Sequence, residues 1–205
     1  TEFTHKPISL NNNKYYIYDE NSSRSENHRE LMDRVVFSYT KEIKKGTFLF
    51  PLGALDCLSH LSEISDHGLM LLSTDKGVSH LFEIEGRGDP RFAFHKSFSV
   101  TVNFDSISRY VALKGGFSLF PEPRDGIKTA VCFMGIDKNI DLINVKEYFS
   151  NDLNRLTPAD FFNYHRLLRE STPEVRSLKM MLSHFNMCLW DPYTFSLYQS
   201  EIIGN

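Results

Sequence analysis

An acid and a base, Asp75 and Lys76, stand directly after the apolar run Gly68-Leu69-Met70-Leu71-Leu72-Ser73-Thr74. Bounded by turn residues and too short for an ordinary helix, that run predicts a fully buried strand of the parallel kind, ending in a loop at Asp75-Lys76-Gly77. Open α/β sheets place their ligands at the carboxyl edge of such strands, so the two charges occupy a ligand-contacting position. The competing reading is that they only solvate a surface loop, and the pattern leaves both open.

Other chemical signatures are sparse. Gly86-x-Gly88, inside Glu85-Gly86-Arg87-Gly88-Asp89-Pro90, matches part of a dinucleotide fingerprint but lacks the third glycine and a clear preceding strand. Arg87-Gly88-Asp89 spells an adhesion tripeptide, which without a secretion signal reads as coincidence. None of the eight histidines forms a His-x-x-x-His pair, and His80 and His95, nearest the central loop, read as surface or core residues. No Gly-x-Ser-x-Gly elbow is present, which removes the usual nucleophile turn of a serine hydrolase. Cys57, Cys132 and Cys188 are far apart, lie in apolar segments and make no Cys-x-x-Cys pair. They predict buried free thiols in a reducing, cytoplasmic setting.

Around these residues the chain divides into recognisable elements. Leu31, Met32, Val35, Val36, Tyr39 and Ile43 recur at helical spacing from His28 to about Lys44, with Gly46 as a stop. Leu52, Leu55, Leu58, Leu61 and Ile64 mark a second helical face just before the Gly68 run, so helix, tight loop and strand predict a right-handed βαβ unit. Tyr15-Tyr16-Ile17-Tyr18 reads as an earlier strand. Asn103 or Asp105 caps a helix that carries Phe104, Ile107 and Val111 inward and closes at Gly115-Gly116. Phe117-Ser118-Leu119-Phe120 and the run from Thr129 to Ile136 are two strands whose short connection predicts an antiparallel edge pair.

After Asp137 the pattern is helical. A short helix spans 144–150, another starts at Thr157-Pro158-Ala159-Asp160, a third at Pro173, and a last runs from Tyr193 to Ile203. The expectation is an α/β domain over residues 1–140 and a helical appendix over 141–205. With 205 residues, 41% of them hydrophobic, one substantial core is affordable and a second full domain is not expected. A net charge of −3 supplies no field for nucleic acid or an anionic membrane, and no stretch approaches the ~18 apolar residues of a membrane span.

From Phe50 to Asp137 the order of motifs resembles the carboxyl-terminal half of the MidA family of S-adenosylmethionine-dependent methyltransferases. The carrying residues are the helix before the Gly68 strand, and Asp75-Lys76-Gly77 where the family writes Asp-Tyr-Gly. Gly88-Asp89-Pro90 matches a Gly-Asp-Pro element, and Thr101-Val102-Asn103-Phe104 is similar to Thr-x-x-Val-Asp-Phe. Thr157-Pro158-Ala159-Asp160-Phe161-Phe162 and Leu189-Trp190-Asp191-Pro192 look like a related bacterial group with appended helical repeats. The resemblance implies part of a class I methyltransferase-like, Rossmann-like sheet with an antiparallel edge. It implies a methyltransferase acting on a protein side chain, with Asp75 as the catalytic acid and Lys76, Asp89 and Asn103 on the substrate side.

The family's glycine-rich cofactor loop lies in its amino-terminal half, so S-adenosylmethionine would bind only with that half present. The alternative is a catalytically inactive, methyltransferase-like module that binds a partner protein; a secreted bacterial effector fits either. The start at Thr1, running straight into Lys6-Pro7-Ile8, predicts a fragment or processed product. Without its first half the sheet would expose a strand edge beside apolar side chains. The expected partner is therefore the missing amino-terminal half, a second copy or a protein lying along that edge.

Overall fold

The computed structural model describes residues 25–90, 93–95, 97–122, 127–137, 140–153, 158–172 and 176–204. The Tyr15 strand predicted from sequence lies outside them. The chain divides into two compact units, Thr1–Thr157 and Pro158–Asn205.

In the first unit, helix α1 (Glu26–Glu42) begins where the Ser25 hydroxyl accepts the His28 N–H at 3.3 Å, satisfying one of the free donors of a helix start. Its predicted stripe of Leu31, Met32, Val35, Val36 and Tyr39 is buried. Helix α2 (Leu52–Ile64) buries Leu55 and Leu58, while Leu61 and Ile64 of the same predicted face stay exposed. Strand β1 (Leu69–Val78) follows, then a 3-10 turn (Leu81–Glu83). Next come the short strands β2 (Ala93–His95), β3 (Ser97–Ser99) and β4 (Val102–Asn103) and helix α3 (Phe104–Leu113). Asn103 is its cap, with Oδ1 accepting the Ser106 N–H at 3.0 Å, and Gly115 beyond its end takes φ +79°, the left-handed conformation that glycine adopts without a Cβ penalty. Strands β5 (Phe117–Leu119) and β6 (Ile127–Met134), helix α4 (Ile143–Tyr148) and a π-helical turn (Phe149–Leu153) are the remaining described elements of the unit.

The main sheet is mixed, in the order β4-β1-β6-β5, and β2 and β3 form a separate antiparallel ribbon. This is an α/β arrangement, with β5 and β6 antiparallel at one edge as their short connection predicts. β6 is buried on both sides. Ala130, Cys132 and Met134 face a core built by α1, α2 and α3, while Val131 and Phe133 pack with Phe149 and partly buried Phe117, Leu119 and Val145. The segment from 143 to 153, expected in the helical appendix, thus covers the second face of the sheet.

β1 corrects the expectation for residues 68–74. It is not a fully buried parallel strand: it pairs antiparallel with β6 over eight residue pairs, from Leu69 opposite Met134 to Lys76 opposite Ile127. Its parallel pairing with β4 is confined to Gly77 and Val78. Leu69 and Leu71 pack on the main core, but Met70 and Leu72 are 57% and 60% exposed. A one-faced antiparallel strand alternates in burial in this way, and the apolar run concealed the alternation because both faces carry apolar residues. The expected loop at Asp75-Lys76-Gly77 is also absent, since these residues continue the strand. At Gly77 a Cβ would lie 2.5 Å from the Phe104 ring, so only glycine lets α3 approach this closely.

In the second unit, α5 (Pro158–Glu170), α6 (Leu178–Met187) and α7 (Pro192–Ile203) are the described elements. The helix start expected at Pro173 lies outside the described residues; residues 176 and 177 are not helical, and the Ser177 hydroxyl caps α6 by accepting the Met180 N–H. His184 on α6 is fully buried and joins the helices, with Nε2 3.0 Å from His165 Nδ1 of α5 and Nδ1 3.0 Å from the Tyr198 hydroxyl of α7. Burial, and then the neighbouring His165, hold the His184 pKa below the ordinary histidine value, while burial raises that of the Tyr198 hydroxyl.

The unfolded chain therefore takes a proton at His184 that the folded one refuses, so stability is lost as pH falls from about 6.5 toward the lower folded value. Trp190, the single tryptophan, lies in this unit and reports its unfolding by fluorescence. Acidification from pH 7 to 5 is expected to lower the midpoint of the Trp190 transition, and His184→Leu to flatten that slope. An unchanged slope in the variant would refute the assignment.

Candidate binding cleft

A cleft of about 870 Å³ opens where β4 meets β1 and the segment leading into β4 leaves its edge. It is lined by Asp75 and Lys76 of β1, by Arg87 and Asp89 of the loop after the 3-10 turn, by Ser99 and Thr101, and by Asn103. Phe48, Leu49, Val78, Ile84 and Val100 form its apolar part. All four residues singled out by sequence, Asp75, Lys76, Asp89 and Asn103, therefore border one space, although the loop that was to carry the first two does not exist.

Several local interactions hold these walls. The Glu85 carboxylate accepts the N–H groups of Lys44 at 3.1 Å and Lys45 at 3.2 Å, the Gly86 N–H donates to Lys45 O, and the Thr47 N–H donates to Arg87 O. The loop with Arg87 and Asp89 is thereby tied to the segment after α1, and fully buried Ile84 anchors its base. Asp75 and Lys76 are exposed strand residues opposite Lys128 and Ile127, and the Lys76 N–H donates to Asp75 Oδ1 at 2.6 Å. Asp89 is exposed in its loop.

Asn103 differs from the other three. It is 2% exposed, and because Oδ1 accepts the Ser106 N–H, the Nδ2 group is fixed as the other arm of the amide. That Nδ2 is buried and has no hydrogen-bond partner among the described residues. A buried donor left unpaired costs about 1–3 kcal/mol.

On β6 lies the buried cation Lys128. Its ammonium donates to the Glu83 carboxylate and, at 3.2 Å, to the Ser79 hydroxyl. Glu83 also accepts the N–H groups of Ser79 at 2.8 Å and His80 at 3.0 Å. Burial opposes the charge on Glu83, but the bond from Lys128 and the two backbone N–H groups outweigh it and hold the carboxyl below its ordinary pKa. Sequence reasoning missed Lys128 because the strand was started at Thr129; the alternation Lys128, Ala130, Cys132, Met134 is the signal that places it on the core face.

A second buried network lies on the helical side. His28 of α1 joins the Tyr110 hydroxyl of α3 and Asp56 of α2, each at 2.9 Å. Arg109 reaches Asp105, Ser38 and both oxygens of Glu42. These polar contacts clamp the helices that support α3 and hence Asn103. Of the three free cysteines, Cys132 is buried as expected, whereas Cys57 is exposed and Cys188 half-buried.

Among the described residues no group of three or more His, Cys, Asp or Glu side chains is arranged to hold a metal ion, and no helix is long and apolar enough to cross a membrane. Gly86-x-Gly88 follows a 3-10 turn rather than a strand, which is not the setting of a dinucleotide-binding glycine loop. Comparison of the chain with models of protein families, with curated proteins and with solved structures finds no match.

Proposed function

We propose that this chain is a protein-binding module that takes an extended, charge-bearing segment of a partner polypeptide along β1, with a polar part of that segment seated in the cleft. One observation carries the reading. On the side away from β6, residues 69–76 of β1 have no ladder partner among the described residues, and this open edge runs directly into the cleft at Asp75 and Lys76. An extended segment added to such an edge gains main-chain hydrogen bonds, and pockets for its side chains give specificity. Exposed Met70 and Leu72 supply apolar contact beside the edge. Asp75 and Asp89 against Lys76 and Arg87 select for charge.

Selection of randomised linear peptides on the immobilised protein tests this. Peptides with a recurrent charged position are expected, and their binding should fall about tenfold or more when Lys76→Glu and Arg87→Glu are combined, the loss of one or two charge-assisted contacts of about 1.5–3 kcal/mol each. Failure to enrich any sequence, or binding indifferent to the reversals, would remove the reading.

A second reading retains the cleft as the substrate side of a MidA-like methyltransferase acting on a protein side chain, with Asp75 as its acid. It is favoured by Asp75, Asp89 and Asn103 bordering one space in the order the resemblance implies. The cofactor would then be held by a further polypeptide segment. Calorimetry with S-adenosylmethionine on the protein as it occurs naturally decides: no heat of binding eliminates this reading and leaves the first intact.

A further inference from the structure

We propose that Asn103 is a ligand-binding residue, and that its Nδ2 donates to a carboxylate of the captured segment at the amino terminus of α3. The inference rests on the cleft reading above and names the group that the cleft takes. Asn103 does two things at once. Its Oδ1 caps α3 through the Ser106 N–H, and its Nδ2, in a residue only 2% exposed, has no acceptor among the described residues although Asn103 borders the cleft. A cap needs only the oxygen. Aspartate supplies one without adding a donor, and serine or threonine adds only a single rotatable hydroxyl hydrogen, so the amide nitrogen is superfluous for the cap and unsatisfied in the ligand-free chain.

The surroundings point to an anionic acceptor. The start of a helix favours negative charge through its free N–H groups and aligned peptide dipoles. Lys76 and Arg87 stand on the same cleft. Asp105, the acid in the first turn of α3, does not compete for this place, because its carboxylate is engaged with the Tyr39 hydroxyl and with Arg109 Nε at 2.7 Å. Asp75 and Asp89 also border the cleft and weaken the binding of a bare carboxylate without abolishing it, since Lys76 and Arg87 face the same space. The carboxylate held best is therefore one accompanied by a basic group in the same ligand, as in a polypeptide segment that pairs an acidic with a basic residue.

Nuclear magnetic resonance of the isotope-labelled protein provides the test, with sodium acetate as the probe and sodium chloride at matched ionic strength as the control. Acetate is expected to shift the Asn103 side-chain NH₂ signals and the backbone signals of Asp105 and Ser106 in a saturable way, and chloride is not. Asn103→Asp keeps the cap and removes the donor, and should lose the effect at Asp105 and Ser106. Asn103→Ser keeps a capping oxygen and replaces the amide donor by a shorter hydroxyl that does not reach as far, without adding a charge; it serves if the aspartate variant does not fold.

Saturable acetate shifts confined to Lys76 and Arg87, shifts at Asp105 and Ser106 that persist in both variants, or no shift at all would overturn the proposal. If the peptide selection succeeds while acetate leaves Asn103 untouched, the cleft reading stands and only the role of Asn103 falls.

Discussion

Lys128→Met is expected to destabilise the first unit by about 3–5 kcal/mol, measured as a fall in the midpoint of denaturant unfolding with little change in slope. The size follows from what is left behind. Glu83 is fixed by the Ser79 and His80 N–H groups in the 3-10 turn and does not leave when its cation is removed. An uncompensated charge then stays in a site where Lys128 itself is only 2% exposed. Combining Lys128→Met with Glu83→Gln should recover most of the loss, since the neutral amide still accepts from the turn.

The pH dependence gives a second reading of the same pair. With its folded pKa below the unfolded value, Glu83 contributes stability that is complete above about pH 4.3 and is lost as pH falls through the lower folded value. In Lys128→Met the orphaned carboxyl takes a proton more readily, so the penalty should shrink on acidification. A single variant within about 0.5 kcal/mol of the parent, the usual range of surface changes, would show that the pair is not buried in solution.

Phe133→Ala is expected to cost about 3–5 kcal/mol, the range for removing a fully buried aromatic ring. Phe133 lies in β6 on the face opposite the main core, stacked on Phe117 at 4.8 Å between ring centroids and packed with Val131 and Phe149. The loss would uncouple the α4 segment from the sheet as well as open a cavity, so faster amide exchange in residues 143–149 should accompany the fall in midpoint. Phe133→Leu keeps much of the volume and should cost less than half as much. Equal effects of the two substitutions would mean that the ring does not organise this second core.

Parts of this fold were legible because one stretch of sequence contains the whole signal. The stripe of α1 repeats over three turns, Asn103 stands immediately before Phe104 at a helix start, and a short turn between two apolar runs dictates the β5–β6 pair. β1 was misjudged because Leu69-Met70-Leu71-Leu72 reads alike for a strand buried on both faces and for one with an exposed apolar face. Its antiparallel partner lies more than fifty residues later. The four residues singled out border one cleft, but in a setting the sequence did not show: Asp75 and Lys76 were expected on a loop and are in a strand. His184 with His165 and Tyr198, and Glu83 with Lys128, are joined only by tertiary structure, and no local spacing announces them.

The distance between β1 and β6 along the chain also sets the order in which this protein can acquire structure. Their ladder begins with Lys76 opposite Ile127, a separation of 127 − 76 = 51 residues, and ends with Leu69 opposite Met134, a separation of 134 − 69 = 65 residues. Closing loops of that length precedes any reward from the pairing, which is the slow step in folding sheets of non-local topology. During synthesis the chain emerges from its amino end, so β1 is made long before β6 exists. Until then its apolar residues have, among the described strands, only the two-residue contact with β4. A nascent chain halted before Ile127 would accordingly present Leu69, Met70, Leu71 and Leu72 together, a ready target for chaperones that hold unpaired strands.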